Sequence, residues 1–322
     1  MRSVAIVLAI AAVMMAAGAA AAYSFNAQVG FTASADDDGD VIVDVTGALP
    51  TELTYRIMKD ADRPDRIYIF LDENYPGLQS YRDQRKSLTT FSEMMSRRGY
   101  ENIEFIEADK LRTIVYDPSA AANSGLMMTG GAIPRDIYTS ATDNGVRTWL
   151  ANGGTLYWSG PDIGRFCDIG DGEECKDYGT GMFGGSVNYT DGDPYLVTKA
   201  TDISLEMGFA GERAKYGLVA DYPGSRVLGL YDDYSSFSVL PVDSGRLYLF
   251  GTNFDEYDVE KVASIADYIS AGITEKTEIL ESSELHKGYW DQTFNIGKVD
   301  AGDSVYITSG SPVSAKGRFF QF

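Results

Sequence analysis

Apolar residues along this chain fall in short runs, separated by longer polar stretches and punctuated by glycine. The clearest unit spans residues 125–164. Residues 126–129 (LMMT) form one apolar run, which ends in Gly130 and Gly131. Residues 155–158 (TLYW) form a second, which breaks at Ser159, Gly160 and Pro161. Between them Pro134 opens a turn or a first helical turn. Val146, Trp149 and Leu150 then recur at helical spacing, with Thr142 or Asp143 as the N-cap and Asn152, Gly153 and Gly154 as the stop. Two apolar strands joined through a helix predict a parallel pair with a right-handed crossover. Ligands of such sheets sit at the carboxyl ends of the strands, so Gly130, Gly131, Ser159 and Gly160 share one candidate edge.

The same pattern extends in both directions. Upstream, residues 66–71 (RIYIFL) predict a buried strand that ends at Asp72, Glu73 and Asn74. Residues 75–86 read as a loop. Leu88, Phe91, Met94 and Met95 mark a helix capped by Ser87 and ended by Gly99. Residues 103–107 (IEFIE) are the next strand, and 109–123 read as an irregular connection in which 113–116 add an edge strand. Downstream, residues 165–245 break the alternation. They are rich in Gly, Tyr and Asp, with short apolar runs at 195–197, 217–219, 227–230 and 237–240, and predict an insertion of antiparallel strands. Residues 246–250 (RLYLF) return to the parallel core. Val259, Val262, Ala266 and Ile269 follow as a helical stripe, capped by Asp255 or Asp258 and stopped by Gly272.

Polar, alternating segments flank this core. Residues 23–62 predict strands at 27–32, 41–45 and 53–58, and residues 274–322 predict strands at 294–296 and 304–308 that pair with them. The expected organisation is therefore an N-terminal segment (1–22), a β-rich segment (23–62), an α/β domain (63–273, insertion 165–245) and a C-terminal β tail (274–322). The fold class is α/β: a parallel sheet with an antiparallel β insertion and small β segments at both ends.

Composition narrows the function. With 322 residues, 44% of them hydrophobic, the chain can bury a sizeable core. A formal net charge of −20 repels nucleic acid and anionic lipid headgroups, so neither is an expected partner. Residues 4–22 carry no charge and end in small residues before Tyr23, the pattern of a cleaved signal peptide or a retained anchor. Either places the remainder outside the cytoplasmic membrane, extracellular or at the cell surface, with membrane contact only through that segment. Cys167 and Cys175, the only cysteines, enclose a short acidic loop and are expected to form a disulfide there, worth at most ~3 kcal/mol. No second Cys pair or neighbouring His completes a thiolate metal site. Asn188 heads a glycosylation sequon. The run Asp36 to Asp40 reads as a solvated turn, because it lacks the spacing and closing Glu of a calcium loop.

Three stretches carry a family resemblance: GLMMTGG (125–131), WLANGGTLYW (149–158), and RLYLFG (246–251) with its helix. Together they resemble the class I glutamine amidotransferase-like α/β fold, in particular non-catalytic members of exported or membrane-attached proteins. The resemblance covers residues 64–272 without the insertion, and implies a three-layer parallel sheet of flavodoxin/amidotransferase-like type. Active members place a Cys nucleophile on the turn where Ser159 stands here, and a His followed by an acid after the last core strand. In this chain Asn253-Phe-Asp-Glu256 occupies that stretch, so Asp255 stands in the His position and Glu256 can match the acid. The only His, His286, lies in the β tail. A serine that attacks an acyl group needs a base for its proton, and an ordinary Asp is a poor one. Ser159, Asp255 and Glu256 are therefore weak catalytic candidates.

Binding candidates at the same edge are Asp72, Glu73, Gly130, Gly131, Ser159, Gly160, Asn253 and Asp255. No metal site or cofactor is assigned, although Asp72, Glu73, Asp162 and Asp255 offer oxygen ligands of the kind Ca²⁺ or Mg²⁺ takes. Tyr231 and Tyr234, flanking two aspartates, offer rings for stacking on carbohydrate. The functional expectation is an exported binding or interaction protein with an inactive amidotransferase-like core and a protein or carbohydrate partner at the cell surface. The alternative is an extracellular hydrolase or cation-dependent enzyme using Ser159 and the edge carboxylates.

Overall fold

A computed structural model describes residues 30–48, 52–58, 64–168, 173–179, 182–183, 189–191, 211, 215–219, 224–231, 234–271, 274–281, 289–300, 304–309 and 316–321. The segment 1–22, Asn188, Gly272, His286 and the run 195–197 lie outside the described residues. No helix among the described residues is long and apolar enough to cross a membrane.

The described residues open with strands β1 (Gly30–Ala35), β2 (Asp40–Ala48) and β3 (Glu52–Met58). The core follows as β4 (Arg66–Phe70), helix α1 (Tyr81–Arg97), β5 (Ile103–Ile106), short helices α2 (Ala108–Ile114) and α3 (Pro118–Ala121), and β6 (Ser124–Met128). Short strands β7 (Ile133–Pro134), β8 (Tyr138–Ser140) and β9 (Asp143–Asn144) lead into α4 (Gly145–Ala151) and β10 (Thr155–Ser159). Next come β11 (Phe166–Asp168), β12 (Glu173–Glu174), β13 (Tyr189–Asp191), β14 (Tyr216–Val219), β15 (Arg226–Tyr231) and β16 (Tyr234–Val242). After β17 (Gly245–Phe250) and α5 (Val259–Ala271) the chain continues through β18 (Thr274–Glu281), β19 (Tyr289–Lys298), β20 (Ser304–Ser309) and β21 (Lys316–Gln321).

Among the described residues, nine strands form the main sheet, in the order β13-β14-β16-β17-β10-β6-β4-β5 with β15 paired to β16. The five strands from β17 to β5 run parallel. Numbered along the chain, they lie in the order 2-1-3-4-5. The insertion's β16 pairs antiparallel with β17, so it widens the main sheet.

Alternation along each strand sends its side chains to two cores. Tyr68, Leu126, Trp158 and Leu247 pack with Leu111, Ile114, Val146 and Trp149 of α2 and α4. On the other face Ile67, Ile69, Met127, Tyr157 and Phe250 pack with Leu88, Phe91 and Met95 of α1 and Val262, Ala266 and Ile269 of α5. The flanking β segments do pair: β2 with β19, and β3 with β18 and β20. The two antiparallel sheets close on a shared core of Val41, Val43, Val45, Tyr55, Ile296, Val305 and Ile307. The turn at 36–40 is held locally, with Asp36 Oδ1 accepting from the Asp38 and Asp40 N–H groups.

Several boundaries differ from the sequence pattern. Helix α1 begins at Tyr81, so 81–86 is helical and Ser87 is interior; Ser80 is the cap, accepting from the Asp83 N–H. That first turn is polar because most of it faces solvent, which hides its period. Residues 109–123 hold two short helices, α2 and α3, joined by a turn, and no edge strand: Leu111 and Ile114 are one helical turn apart, and Asp117 caps α3 ahead of Pro118. The cap of α4 is Asn144, whose Oδ1 accepts from the Arg147 N–H at 2.8 Å, and not Thr142 or Asp143. Pro134 ends β7 beside β11 and, as expected, opens a turn: it is the N-cap of a one-turn 3₁₀ helix, Arg135–Ile137.

Candidate functional site

The carboxyl ends of β4, β6, β10 and β17 meet at one edge, as the parallel pairing requires. β10 is buried along its whole length and carries Ser159 as its last residue. Ser159 is 0% exposed, and its Oγ donates to the Thr252 carbonyl at 2.9 Å. The hydroxyl thus stitches the ends of β10 and β17 together. Its proton is committed to that backbone oxygen.

The glycines of this edge are in backbone contact with their neighbours. Gly160 has φ +125°, and a Cβ there would lie 2.5 Å from the Gly131 Cα. On the other side the 72–80 loop folds over Gly130, whose carbonyl accepts from the Leu78 N–H at 2.8 Å. Gln84, buried on the first turns of α1, fixes this arrangement: Nε2 donates to the Pro76 carbonyl at 2.7 Å and Oε1 accepts from Thr129 Oγ1 at 3.2 Å. Backbone therefore occupies the space between β4 and β6, where the strand order reverses and a crevice is expected. Asp72 is buried and fully engaged. Its Oδ1 accepts from the Asn74 N–H at 2.8 Å, and its Oδ2 from the Ala108 N–H at 3.0 Å. It acts as a remote cap for α2, whose own N-cap, Glu107, makes no side-chain cap bond. Glu73 is exposed.

The stretch after β17 forms a 3₁₀ turn, Phe254–Glu256, anchored by Phe254 edge-on to Phe91. Asp258, not Asp255, caps α5, accepting from the Lys261 N–H at 2.8 Å. Glu256 pairs with Lys215 and accepts from Asn253 Nδ2 at 2.6 Å. Asn253 is buried and Asp255 half-buried. Burial pushes the Asp255 carboxyl above its ordinary range; its backbone N–H and Lys215 pull it down, while Glu256 and Asp83 add to the rise. This is the direction a base for neutral pH needs, but no contact joins Asp255 to Ser159 among the described residues. Nor, among the described residues, do three His, Cys, Asp or Glu side chains converge there as a metal cage would require. The edge thus brings Ser159 to Thr252, Gly160 to Gly131 and Asn253 to Glu256, and leaves Asp72 and Glu73 in other roles.

An open groove lies beside this edge, and the sequence pattern gave no sign of it. It has a volume of about 370 Å³ and is lined by Leu71, Tyr81, Arg85, Thr89, Phe105 and Glu107. Tyr81, Arg85 and Thr89 are spaced i, i+4, i+8 along α1, a stripe lost when 75–86 is read as loop. Phe105 pairs with Ile69 in register and so faces the α1 side of the edge strand.

The disulfide forms between Cys167 and Cys175, with their Cα atoms 5.1 Å apart. Just beyond it, Asp177 accepts from the Tyr138 hydroxyl and the Ala141 N–H, both at 2.6 Å, and from the Gly179 N–H at 3.3 Å. Burial pushes the Asp177 carboxyl upward, but these donors outweigh it and hold the group below its usual range. Burial, then the Asp177 hydrogen bond, raises Tyr138 well above the ordinary phenol value. A depressed carboxylate stabilises the fold above its unfolded pKa and loses that contribution as pH falls through the folded value. Asp177→Asn is accordingly expected to lower the melting temperature at neutral pH, with the gap from wild type closing below about pH 4. Thermal melts of both proteins across that range check this; a gap that stays constant would mean the carboxylate charge is irrelevant.

No family model and no curated protein matches the chain. Solved structures give weak likenesses. The exo-β-1,4-mannosidase Op5Man5 from Opitutaceae bacterium strain TAV5 aligns at TM-score 0.42 and 13% identity, over 65% of this chain and 36% of that one. Cytoplasmic protein STM1381 from Salmonella typhimurium LT2 aligns at 0.40 and 10%, over 63% of this chain and 97% of its own. The β-galactosidase from Bacillus circulans sp. alkalophilus aligns at 0.38 and 10%, over 78% and 36%. The chain spans about a third of the length of the two glycosidases. At these scores the likenesses carry no argument about fold type or activity.

Proposed function

We propose that this chain is an exported binding or interaction protein whose α/β domain, of flavodoxin/amidotransferase-like type, is a scaffold without a catalytic centre. The observation that carries the reading is Ser159: fully buried and donating to the Thr252 carbonyl, it is used as a strap between strands. The position where the resembling family has its His holds Asp255, which makes no contact with Ser159 among the described residues. The strand order 2-1-3-4-5 supports the flavodoxin-like assignment. The disulfide supports an oxidising compartment, and with it the export reading of residues 4–22. Partners of this protein, a cell-surface protein or a carbohydrate, would meet its solvent-facing surfaces rather than the filled central edge.

The test is a panel of chromogenic esters, amides and glycosides with purified protein. Turnover is expected to be indistinguishable between wild type and Ser159→Ala, with the variant losing only the strap, about 1 kcal/mol of stability. Turnover that Ser159→Ala abolishes would overturn the scaffold reading in favour of a hydrolase.

A further inference from the structure

We propose that the groove between α1 and the edge strand β5 binds a small zwitterion with an apolar side chain, of the kind a free α-amino acid presents. Its walls and charges carry the assignment. Phe105 is 43% exposed although it belongs to a regular strand of the main sheet, and it faces the groove together with Tyr81 and Leu71. A large ring left open beside a second ring and an aliphatic chain is an unfilled apolar wall. Arg85 and Glu107 line the same groove, and neither charge has a partner among the described residues, including each other. Surface charges of opposite sign lining one concavity commonly pair. Here they stand apart and leave room for a ligand that carries both. The guanidinium suits a carboxylate through its fork of donors, the Glu107 carboxylate suits an ammonium group, and the apolar wall suits the side chain.

The position fits as well. The groove sits at the carboxyl ends of β4 and β5, where ligands of open parallel sheets are held. Its volume is at the lower end of small-molecule sites, ample for one amino acid. The central part of that edge is occupied by the 72–80 loop, so this flank is where the edge stays open. The inference is independent of the scaffold reading, because it uses none of the residues on which that reading rests.

Calorimetric titration of the full chain with L-phenylalanine, its amide and its N-acetyl derivative tests it. The amide keeps the ammonium and loses the carboxylate; the N-acetyl form does the reverse. The free amino acid is expected to bind with a Kd between about 1 μM and 1 mM, and each derivative about tenfold or more weaker, for one lost charge-assisted contact. Arg85→Gln should weaken the free amino acid by a similar factor while leaving the amide unaffected. Glu107→Gln should do the same while sparing the N-acetyl form. Phe105→Ala should weaken all three. All three positions line an open surface groove, and a circular dichroism spectrum confirms that each variant is folded. No binding up to about 10 mM, or binding that ignores both charge variants, overturns the proposal. So does a neutral sugar that binds the groove through Phe105 alone.

Discussion

Arg98→Ala is expected to cost the α/β domain about 3–5 kcal/mol, the range for removing one partner of a buried ion pair. Arg98 follows the last turn of α1 and is 0% exposed. Its Nε donates to Asp267 Oδ1 at 2.7 Å, Nη1 to the Met94 carbonyl at 3.0 Å, and Nη2 to the Ala263 carbonyl at 3.3 Å. One guanidinium thus satisfies an end carbonyl of its own helix, a carbonyl of α5 and a carboxylate of α5. Cations at helix C-termini are favourable in themselves, but most of the loss comes from what truncation leaves behind: an Asp267 carboxylate without this donor, the lost guanidinium bonds to the Met94 and Ala263 carbonyls, and the void left by the arginine side chain. Asp267→Asn keeps an acceptor and should cost less. Arg98→Met paired with Asp267→Leu should recover much of the loss, since apolar replacement of a buried pair is often neutral. Urea midpoints at unchanged slope read these differences. A loss below about 1 kcal/mol for Arg98→Ala would show that the pair is solvated like a surface bridge.

Gly160→Ala is expected to cost a comparable amount, about 2–6 kcal/mol, from two causes that add. At φ +125° an L residue is strained by roughly 1–3 kcal/mol. The new methyl would also stand 2.5 Å from the Gly131 Cα, a backbone atom that cannot rotate aside as a side chain does. Relieving that clash means moving the turn after β10 or the turn after β6. Overpacking of this kind costs about 1–3 kcal/mol more. Denaturant unfolding checks the magnitude, and full stability in the variant would mean that the two turns separate freely.

The parallel strands were legible in the sequence because buried strands read as unbroken apolar runs such as IYIF, LYW and LYLF; glycine marks the ends of β6, β10 and β17, and polar residues mark the end of β4. The same signal identified the inward faces of α1 and α5. It failed where burial was carried by something other than apolar residues. Gln84 is buried and polar, so the first turns of α1 read as loop. The helices α2 and α3 are too short for their period to stand out, and the cap of α2 is Asp72, far away in sequence. At the candidate site the residue types could be read from the chain, but their contacts could not. Whether Ser159 faces a cleft or the Thr252 carbonyl depends on how two strands 93 residues apart meet. The partner of Arg98 is likewise 169 positions away. The groove escaped notice for a related reason: its residues come from α1 and from the two strand ends beside it, and no one stretch holds enough of them to form a motif.

The two-sheet sandwich also imposes an order of events during synthesis. β2 lies against β19, with Val45 opposite Gln292, so strands made before the α/β domain wait for partners made after it. The α/β domain between them has all its partners available earlier and can fold while the sandwich halves remain apart. Until residues 289–309 emerge, Val41, Val43 and Val45 have no facing sheet to cover them. A chain stopped just after α5 would therefore present a finished α/β domain preceded by three strands, β1 to β3, still short of their later partners and prone to aggregate. The strands that follow α5 act as a latch, closing the sandwich only once the domain that separates its halves in the chain has been made.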